Sequence, residues 1–106
     1  MTVALHHVFD SPVDKIIFDV SHQTYIHKML TGRQKAFMDP KHYDDVSGYT
    51  NPKESEHDLF TIGHTSTSLS LASGILYARD LKNEKSNVVA IIGDGALSGG
   101  MAYEGL

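Results

Sequence analysis

Cysteine is absent from this 106-residue chain, which excludes a disulfide scaffold, a thiolate zinc site and cysteine catalysis. No apolar run approaches the ~20 residues that cross a bilayer, and the first residues lack the basic and apolar regions of a signal peptide. The formal charge of −4 gives no electrostatic reason to expect nucleic acid or an anionic membrane as a partner. These absences favour a cytoplasmic location.

The composition, 41% hydrophobic and 21% charged, is that of an ordinary globular protein, and the length allows one domain or part of one. The sequence opens on an amphipathic stretch, residues 2–9, and closes on MAYEGL, which continues a helical pattern. Because natural domains seldom stop inside such a pattern, we expect a fragment that is truncated at both ends.

Hydrophobic periodicity and turn residues predict alternating helices and strands. Helices are expected at 2–9, 23–31 (ending at Gly32), after Ser68 through about Leu81 and from about Leu97. Strands are expected at 15–20 and 88–92, with a short strand or strand-like entry at 59–62. Residues 33–58 show little periodicity and predict a long, mobile loop whose acidic residues form a solvated face. Phe18 and Tyr25 are assigned to the core, and Leu69, Ala72, Ile75, Leu76 and Ala78 to the apolar face of the helix that follows Ser68.

Such alternation predicts an α/β fold, a parallel sheet flanked by helices. Ligands of these sheets bind outside the carboxyl ends of the strands. Three polar or glycine-containing clusters follow the predicted strands: Ser21-His22, Gly63–Ser66 and Gly93–Ala96. We therefore expect all three clusters to meet at one edge of the sheet.

The cluster Gly93-Asp94-Gly95-Ala96 places one carboxylate directly after a buried strand, between two glycines that allow close approach of a ligand. One carboxylate together with phosphate oxygens is a usual way of holding Mg²⁺, and the following helix would aim its first amides at the same phosphates. Two alternatives remain open. Asp94 also suits a turn or helix cap, which is common at junctions from strand to helix. The glycines partly match a dinucleotide fingerprint, although its third glycine position is Ser98.

The other two clusters also allow two interpretations each. The hydroxyls and amides of Gly63–Ser66 suit either a helix cap or an anion site, to which His64 would add a donor. His22 suits either a structural role or a ligand contact. The seven histidines show no H-E-x-x-H or similar pairing, so the sequence does not predict a zinc site.

Three stretches carry a resemblance to a known family: TVALHHVFDSPVDKIIFDVSHQTYIHKMLTGR, ESEHDLFTIGHTSTSLSLASG and VVAIIGDGALSGGMAYEGL. In this order they resemble the N-terminal region of the 1-deoxy-D-xylulose-5-phosphate synthase family, thiamine-diphosphate enzymes of the transketolase superfamily. The resemblance implies that residues 1–106 are part of a diphosphate-binding domain.

The resemblance also implies individual roles. Asp94 falls on the Mg²⁺ ligand of the family's GDG motif, and Gly95 and Ala96 on diphosphate contacts. Gly63, His64 and Thr65 fall on its cofactor-contacting GHS motif, with Thr65 in place of serine. His22 falls on the cofactor-contacting histidine of DVGH, with Ser21 in place of glycine. His22 and His64 are implied catalytic donors of hydrogen bonds near the cofactor or the reacting carbonyl.

For the intact parent, the resemblance implies a homodimer that condenses pyruvate with D-glyceraldehyde 3-phosphate, with loss of CO₂, for isoprenoid-precursor and thiamine synthesis. The chain lacks the family's second Mg²⁺ ligand, an asparagine, and its pyrimidine-binding domain with the cofactor-activating glutamate. We therefore expect the 106 residues alone to be inactive. Two other hypotheses are a non-catalytic nucleotide- or phosphate-binding α/β module and a truncated product that folds poorly, with exposed sheet edges.

Overall fold

A computed structural model describes residues 1–106. The helices are α1 (Thr2–Val8), α2 (Tyr25–Lys28), α3 (Lys35–Met38), α4 (Ser68–Leu81) and α5 (Gly100–Glu104), and the strands are β1 (Lys15–Phe18) and β2 (Val88–Ile91). A π-helical turn, Met29–Arg33, follows α2, and 3₁₀ turns cover Pro40–Asp45 and Ala96–Ser98. None of the helices is both long and apolar enough to cross a membrane.

The two strands form a parallel pair, with Lys15 opposite Val88 and Phe18 opposite Ile91. Parallel neighbours need a crossover connection, and α4 supplies it by packing against both strands. The α/β fold with a parallel sheet is thereby confirmed. The carboxyl ends of both strands lie at the same edge of the sheet, and the predicted clusters Ser21-His22 and Gly93–Ala96 follow them.

The hydrophobic core lies on this strand pair. Ile16, Phe18 and Ile91 are buried, and Leu5 and Phe9 from the α1 region pack against them. The assignment of Phe18 to the core is confirmed.

The assignment of Tyr25 to the core is wrong. Its side chain is 51% exposed, and its ring packs against that of Phe37, with ring centroids 5.4 Å apart. The reason is that α2 turns its polar residues His27 and Lys28 inward, because buried acidic partners lie on that side. Similarly, Leu76 and Ala78 of α4 are exposed, since two strands cover only part of the helix surface.

The predicted strand at residues 59–62 does not form, and the sheet has two strands only. The backbone there is bonded by side chains instead: the carbonyl of Phe60 accepts from Thr50 Oγ1 at 2.6 Å, and that of Ile62 accepts from Ser21 Oγ at 2.5 Å. The segment 33–58 also differs from the prediction, because it contains α3 and a 3₁₀ turn. Its mobility stays a prediction.

The helix predicted at 23–31 begins at Tyr25, and its backbone leaves helical geometry at Thr31 and Gly32, where Gly32 takes a φ of 92°. A positive φ is favourable for glycine alone, so Gly32 is the helix stop that the sequence predicts.

Candidate functional site

Asp19, which directly follows β1, connects the strand ends to the start of α4. It is fully buried, and its amide donates to the carbonyl of Ile91 at 2.8 Å, which extends the pairing of the strands by one residue. Its carboxylate accepts from the amides of Ser66, at 2.9 Å, and Ser68, at 3.0 Å. The first turn of α4 is therefore fixed against the end of β1.

The same contact bears on the capping interpretation of Gly63–Ser66. No side chain of that segment caps α4, because the Asp19 carboxylate already accepts from the amides at the N-terminus of the helix, where a negative charge is most favourable. The capping interpretation is wrong for these hydroxyls. The sequence does point to Asp19, because it is the one acidic residue in the apolar run KIIFDV. A carboxylate that is buried with such a strand needs hydrogen-bond donors from neighbouring segments.

Ser66 connects the Gly63–Ser66 segment to the Gly93–Ala96 turn. Its hydroxyl donates to the carbonyl of Ala96 at 2.6 Å, and the residue is buried. Its φ of 70° lies in the left-handed region, which costs a non-glycine residue roughly 1–3 kcal/mol.

Ser21 connects the third cluster. It is fully buried, donates to the carbonyl of Ile62 and lies 3.1 Å, Oγ to Oγ1, from Thr50. Val20 and Ser21 have φ angles of 64° and 76°, so the chain turns sharply out of β1 just before His22. Through Asp19, Ser66 and Ser21, the three clusters meet at one edge of the sheet, as the sequence predicts.

The residues predicted to contact a ligand differ from these connecting residues. His22, Gly63, His64 and Thr65 are exposed, and neither imidazole nor the Thr65 hydroxyl makes a hydrogen bond within the chain. The amides of Gly63, His64 and Thr65 also donate to no group of the chain. Three successive free amides, two imidazoles and a hydroxyl are donors suited to an anionic ligand.

The Gly93–Ala96 turn leaves open space beside its glycines. A Cβ on either Gly93 or Gly95 would meet no atom within 4 Å, and Gly95 has ordinary helical angles, φ −63° and ψ −35°. Neither conformation nor packing within the chain requires glycine at these positions. Another group can therefore approach the backbone closely here.

Asp94 is exposed, and its Oδ1 accepts from the amide of Gly95 at 2.9 Å. The predicted turn role is thus present, and Oδ2 is left free for a further interaction. The amide of Ala96 donates to the carbonyl of Gly93 at 3.0 Å. The amides of Gly95 and Ala96 are already bonded within the turn, so their contact with a diphosphate stays a prediction.

The donor set suits one weakly held metal ion at most. No group of three histidine, aspartate or glutamate side chains in the chain is arranged to hold a metal. Mg²⁺ accepts one or two protein carboxylates when phosphate oxygens and water complete its shell. Asp94 fits that requirement only together with a phosphorylated ligand.

A second polar cluster, which the sequence did not predict, is centred on Asp58. Asp58 is buried and accepts from Arg33 at 2.6 and 2.8 Å, from His27 at 2.9 Å and from the amide of Asn51 at 2.8 Å. Burial acts to raise the pKa of Asp58, but the hydrogen bonds from Arg33 and His27 outweigh it and hold that pKa well below its usual range.

Glu54 belongs to the same cluster. It accepts from Lys28 at 2.7 Å and Arg33 at 3.1 Å, and Lys28 is fully buried. Burial raises the pKa of Glu54, whereas the bond from Lys28 lowers it, with a net lowering. The prediction that the acidic residues of 33–58 form a solvated face is therefore wrong for Glu54 and Asp58.

His27 also lies 2.9 Å from His6 of α1, Nδ1 to Nε2. Since the Asp58 carboxylate can only accept, His27 Nε2 is the donor of the bond to Asp58. Burial, followed by the charge of His27, lowers the pKa of His6. This cluster thus joins α1, α2 and residues 51–58, and residue 50 next to it contacts Ser21.

Comparison with known proteins gives consistent results. A family model described as 1-deoxy-D-xylulose-5-phosphate synthase matches residues 1–106. Curated proteins of that name match the whole chain: one from Caldanaerobacter subterraneus subsp. tengcongensis is 61% identical, one from Dictyoglomus turgidum 59% and one from Desulfitobacterium hafniense 58%, each over 106 residues. The chain spans 17% of the length of each of these relatives.

Proposed function

Because the chain belongs to the 1-deoxy-D-xylulose-5-phosphate synthase family, we propose that it forms part of the diphosphate-binding region of a thiamine-diphosphate-dependent transferase. The intact enzyme would join pyruvate to D-glyceraldehyde 3-phosphate with loss of CO₂ to give 1-deoxy-D-xylulose 5-phosphate. We further propose that it is a cytoplasmic homodimer whose product enters isoprenoid-precursor and thiamine synthesis.

One observation carries the proposal: the contrast in burial between two sets of residues at one sheet edge. Asp19, Ser21 and Ser66 are buried and bonded to the chain. Beside them, the predicted contact residues are exposed and keep free donors. These exposed donors, next to two glycines with open space, are accessible to a ligand at the sheet edge.

The donors and the carboxylate have complementary tasks in this proposal. The amides of Gly63, His64 and Thr65 would bind diphosphate oxygens, and Asp94 Oδ2 would hold the Mg²⁺ that neutralises them. His22 and His64 would donate hydrogen bonds close to the reacting groups. When bound, thiamine diphosphate supplies the carbanion chemistry, and the chain supplies position and charge.

We expect no turnover from the 106 residues by themselves, because a single carboxylate holds Mg²⁺ weakly. An assay for pyruvate decarboxylation by this chain with thiamine diphosphate and Mg²⁺ tests this directly. Measurable turnover would contradict the expectation.

The function itself is tested in a chimera, in which this 106-residue sequence replaces the matching stretch of the full-length Caldanaerobacter relative. We expect the chimera to bind thiamine diphosphate in a Mg²⁺-dependent manner and to form the product. Asp94→Asn should weaken Mg²⁺-dependent binding strongly, whereas Asp44→Asn, at an exposed residue with no ion pair, should not.

Equal cofactor binding by the parent chimera and its Asp94→Asn variant would overturn the proposed metal site. Binding of NAD or ATP by the 106-residue chain without any dependence on Mg²⁺ would instead favour the nucleotide-binding module.

A further inference from the structure

Ser66 lies at the junction of two turns and makes hydrogen bonds to both sides. Its amide donates to the Asp19 carboxylate at 2.9 Å, and its hydroxyl donates to the carbonyl of Ala96 at 2.6 Å. It is adjacent in sequence to Thr65, whose amide is free. One buried residue therefore fixes the spacing between the free amides at 63–65 and the Asp94 turn.

Packing makes the same junction tight. A Cβ built on Gly99 would lie 2.0 Å from Ser66 Oγ and 2.8 Å from Ser66 Cβ. Real Cβ atoms do not approach so closely, so residue 99 must be glycine while the serine keeps this position. The segment that follows the Asp94 turn is thus held from a second direction.

The junction is separate from the hydrophobic core. Ile16, Phe18 and Ile91 form that core, and the Ser66 hydroxyl bonds to the turn at Ala96 instead. Loss of this hydroxyl would release the turn at 93–96 relative to residues 63–65 while leaving the apolar packing in place. The φ of 70° would be relaxed by glycine, although glycine cannot supply the hydroxyl.

We infer that Ser66 is a positioning residue for the site: its hydroxyl sets the distance between the diphosphate-binding amides and the metal-binding carboxylate. This inference rests on the proposed function, and no contact between Ser66 and the ligand is required. Its consequence is that the hydroxyl controls affinity for thiamine diphosphate with Mg²⁺ more than it controls stability.

Two substitutions at the same position separate positioning from stability. Ser66→Ala and Ser66→Gly both remove the bond to Ala96, but only glycine relieves the positive φ. In the chimera described above, both variants should weaken thiamine diphosphate binding by roughly five- to tenfold, the effect expected for one hydrogen bond. The glycine variant should have the higher Tm of the two and no better affinity, and kcat at saturating cofactor should change less than affinity does.

Ser73→Ala serves as the matched control. The Ser73 hydroxyl donates to the carbonyl of Gly105 at 3.2 Å, which is also a bond from α4 to the C-terminal segment. This variant should keep the affinity of the parent chimera.

Other results would contradict either the positioning role of Ser66 or the proposed function. Unchanged affinity in both Ser66 variants would overturn the positioning role, and so would an affinity that recovers in step with Tm in the glycine variant. If the parent chimera folds but binds no cofactor, while the unmodified relative binds it, the proposed function fails and the inference fails with it.

Discussion

Replacement of Asp58 by asparagine should be among the most destabilising single substitutions in this chain. The carboxylate accepts four hydrogen bonds, two of them from Arg33, and its side chain is fully buried beside a guanidinium that is 9% exposed. Asparagine keeps the shape but places an NH₂ group against donors and removes the charge. Apart from residue 58, Arg33 donates to Glu54 at 3.1 Å and to the Thr31 hydroxyl at 2.8 Å, and of these two partners only Glu54 is charged.

The expected loss is about 3–5 kcal/mol, the usual cost of removing one partner from a buried ion pair. A domain of this size has about 5–15 kcal/mol of stability, so the shift in urea midpoint is easily measured by circular dichroism. Asp45→Asn is the control, because Asp45 is 62% exposed where it pairs with His42. An exposed pair contributes about 0–1 kcal/mol. A loss at Asp58 as small as that at Asp45 would refute the reasoning.

The same substitution should change the acid limb of the stability curve. Because its pKa is lowered by folding, Asp58 contributes stability above its ordinary pKa of about 4, and that stability is lost as the pH falls through the folded value. The pKa of Glu54 is also lowered by folding, so its contribution to stability is likewise lost at acidic pH. The asparagine variant should therefore lose less stability than the parent between neutral and strongly acidic pH. Parallel curves for the two proteins would contradict this.

Three further predictions concern single positions. Gly99→Ala should destabilise the fold by about 1–3 kcal/mol, because the added Cβ would overlap Ser66. Gly100→Ala should be nearly neutral, because a Cβ added there meets no atom within 4 Å, and equal urea midpoints for the two variants would contradict the packing argument. Ser21→Ala should be more destabilising than Ser21→Gly by about 1 kcal/mol, since both variants lose the buried hydroxyl but only glycine suits a φ of 76°. A higher Tm for the alanine variant would refute this argument from backbone strain. The pKa of His6 is lowered by burial. The contribution of His6 to the free energy of unfolding is therefore complete above its ordinary pKa of about 6.5 and is lost as the pH falls below that value. His6→Gln should flatten the fall in Tm between neutral pH and about pH 5, and an unchanged fall would exclude this contribution.

The elements that the sequence predicted well are those with strong local patterns. The apolar run Val88–Ile91 and the long helix Ser68–Leu81 form as predicted, because each pattern extends over a whole element. The segment 59–62 has a similar local pattern but no strand beside it, and its carbonyls are bonded by Thr50 and Ser21. Strand formation depends on a partner, which a local pattern does not reveal.

The buried charges were missed for a related reason. Arg33 and Asp58 are separated by 25 positions in the sequence, and their contact depends on the path of the chain between them. Local composition showed only that residues 33–58 are polar, which is also true of a solvated loop. For the site, the predicted edge and its three clusters agree with the structure. The contacts by which Asp19 and Ser66 hold the clusters together depend on residues 30 or more positions apart, which local pattern does not reveal.

Backbone strain gives a further argument for function at this edge. Four non-glycine residues have positive φ, and three of them, Val20, Ser21 and Ser66, lie within two residues of the exposed residues His22 and His64. The fourth is Asn83, of a type that tolerates this conformation, just after α4. Strained residues persist where the surroundings hold them and are concentrated at functional sites. At Ser21 and Ser66 the hydroxyl bonds to Ile62 and Ala96 offset the strain. Val20 has no polar side chain to offset its strain, and the φ of 64° at a β-branched residue is understandable if the direction of His22 is what this turn must preserve.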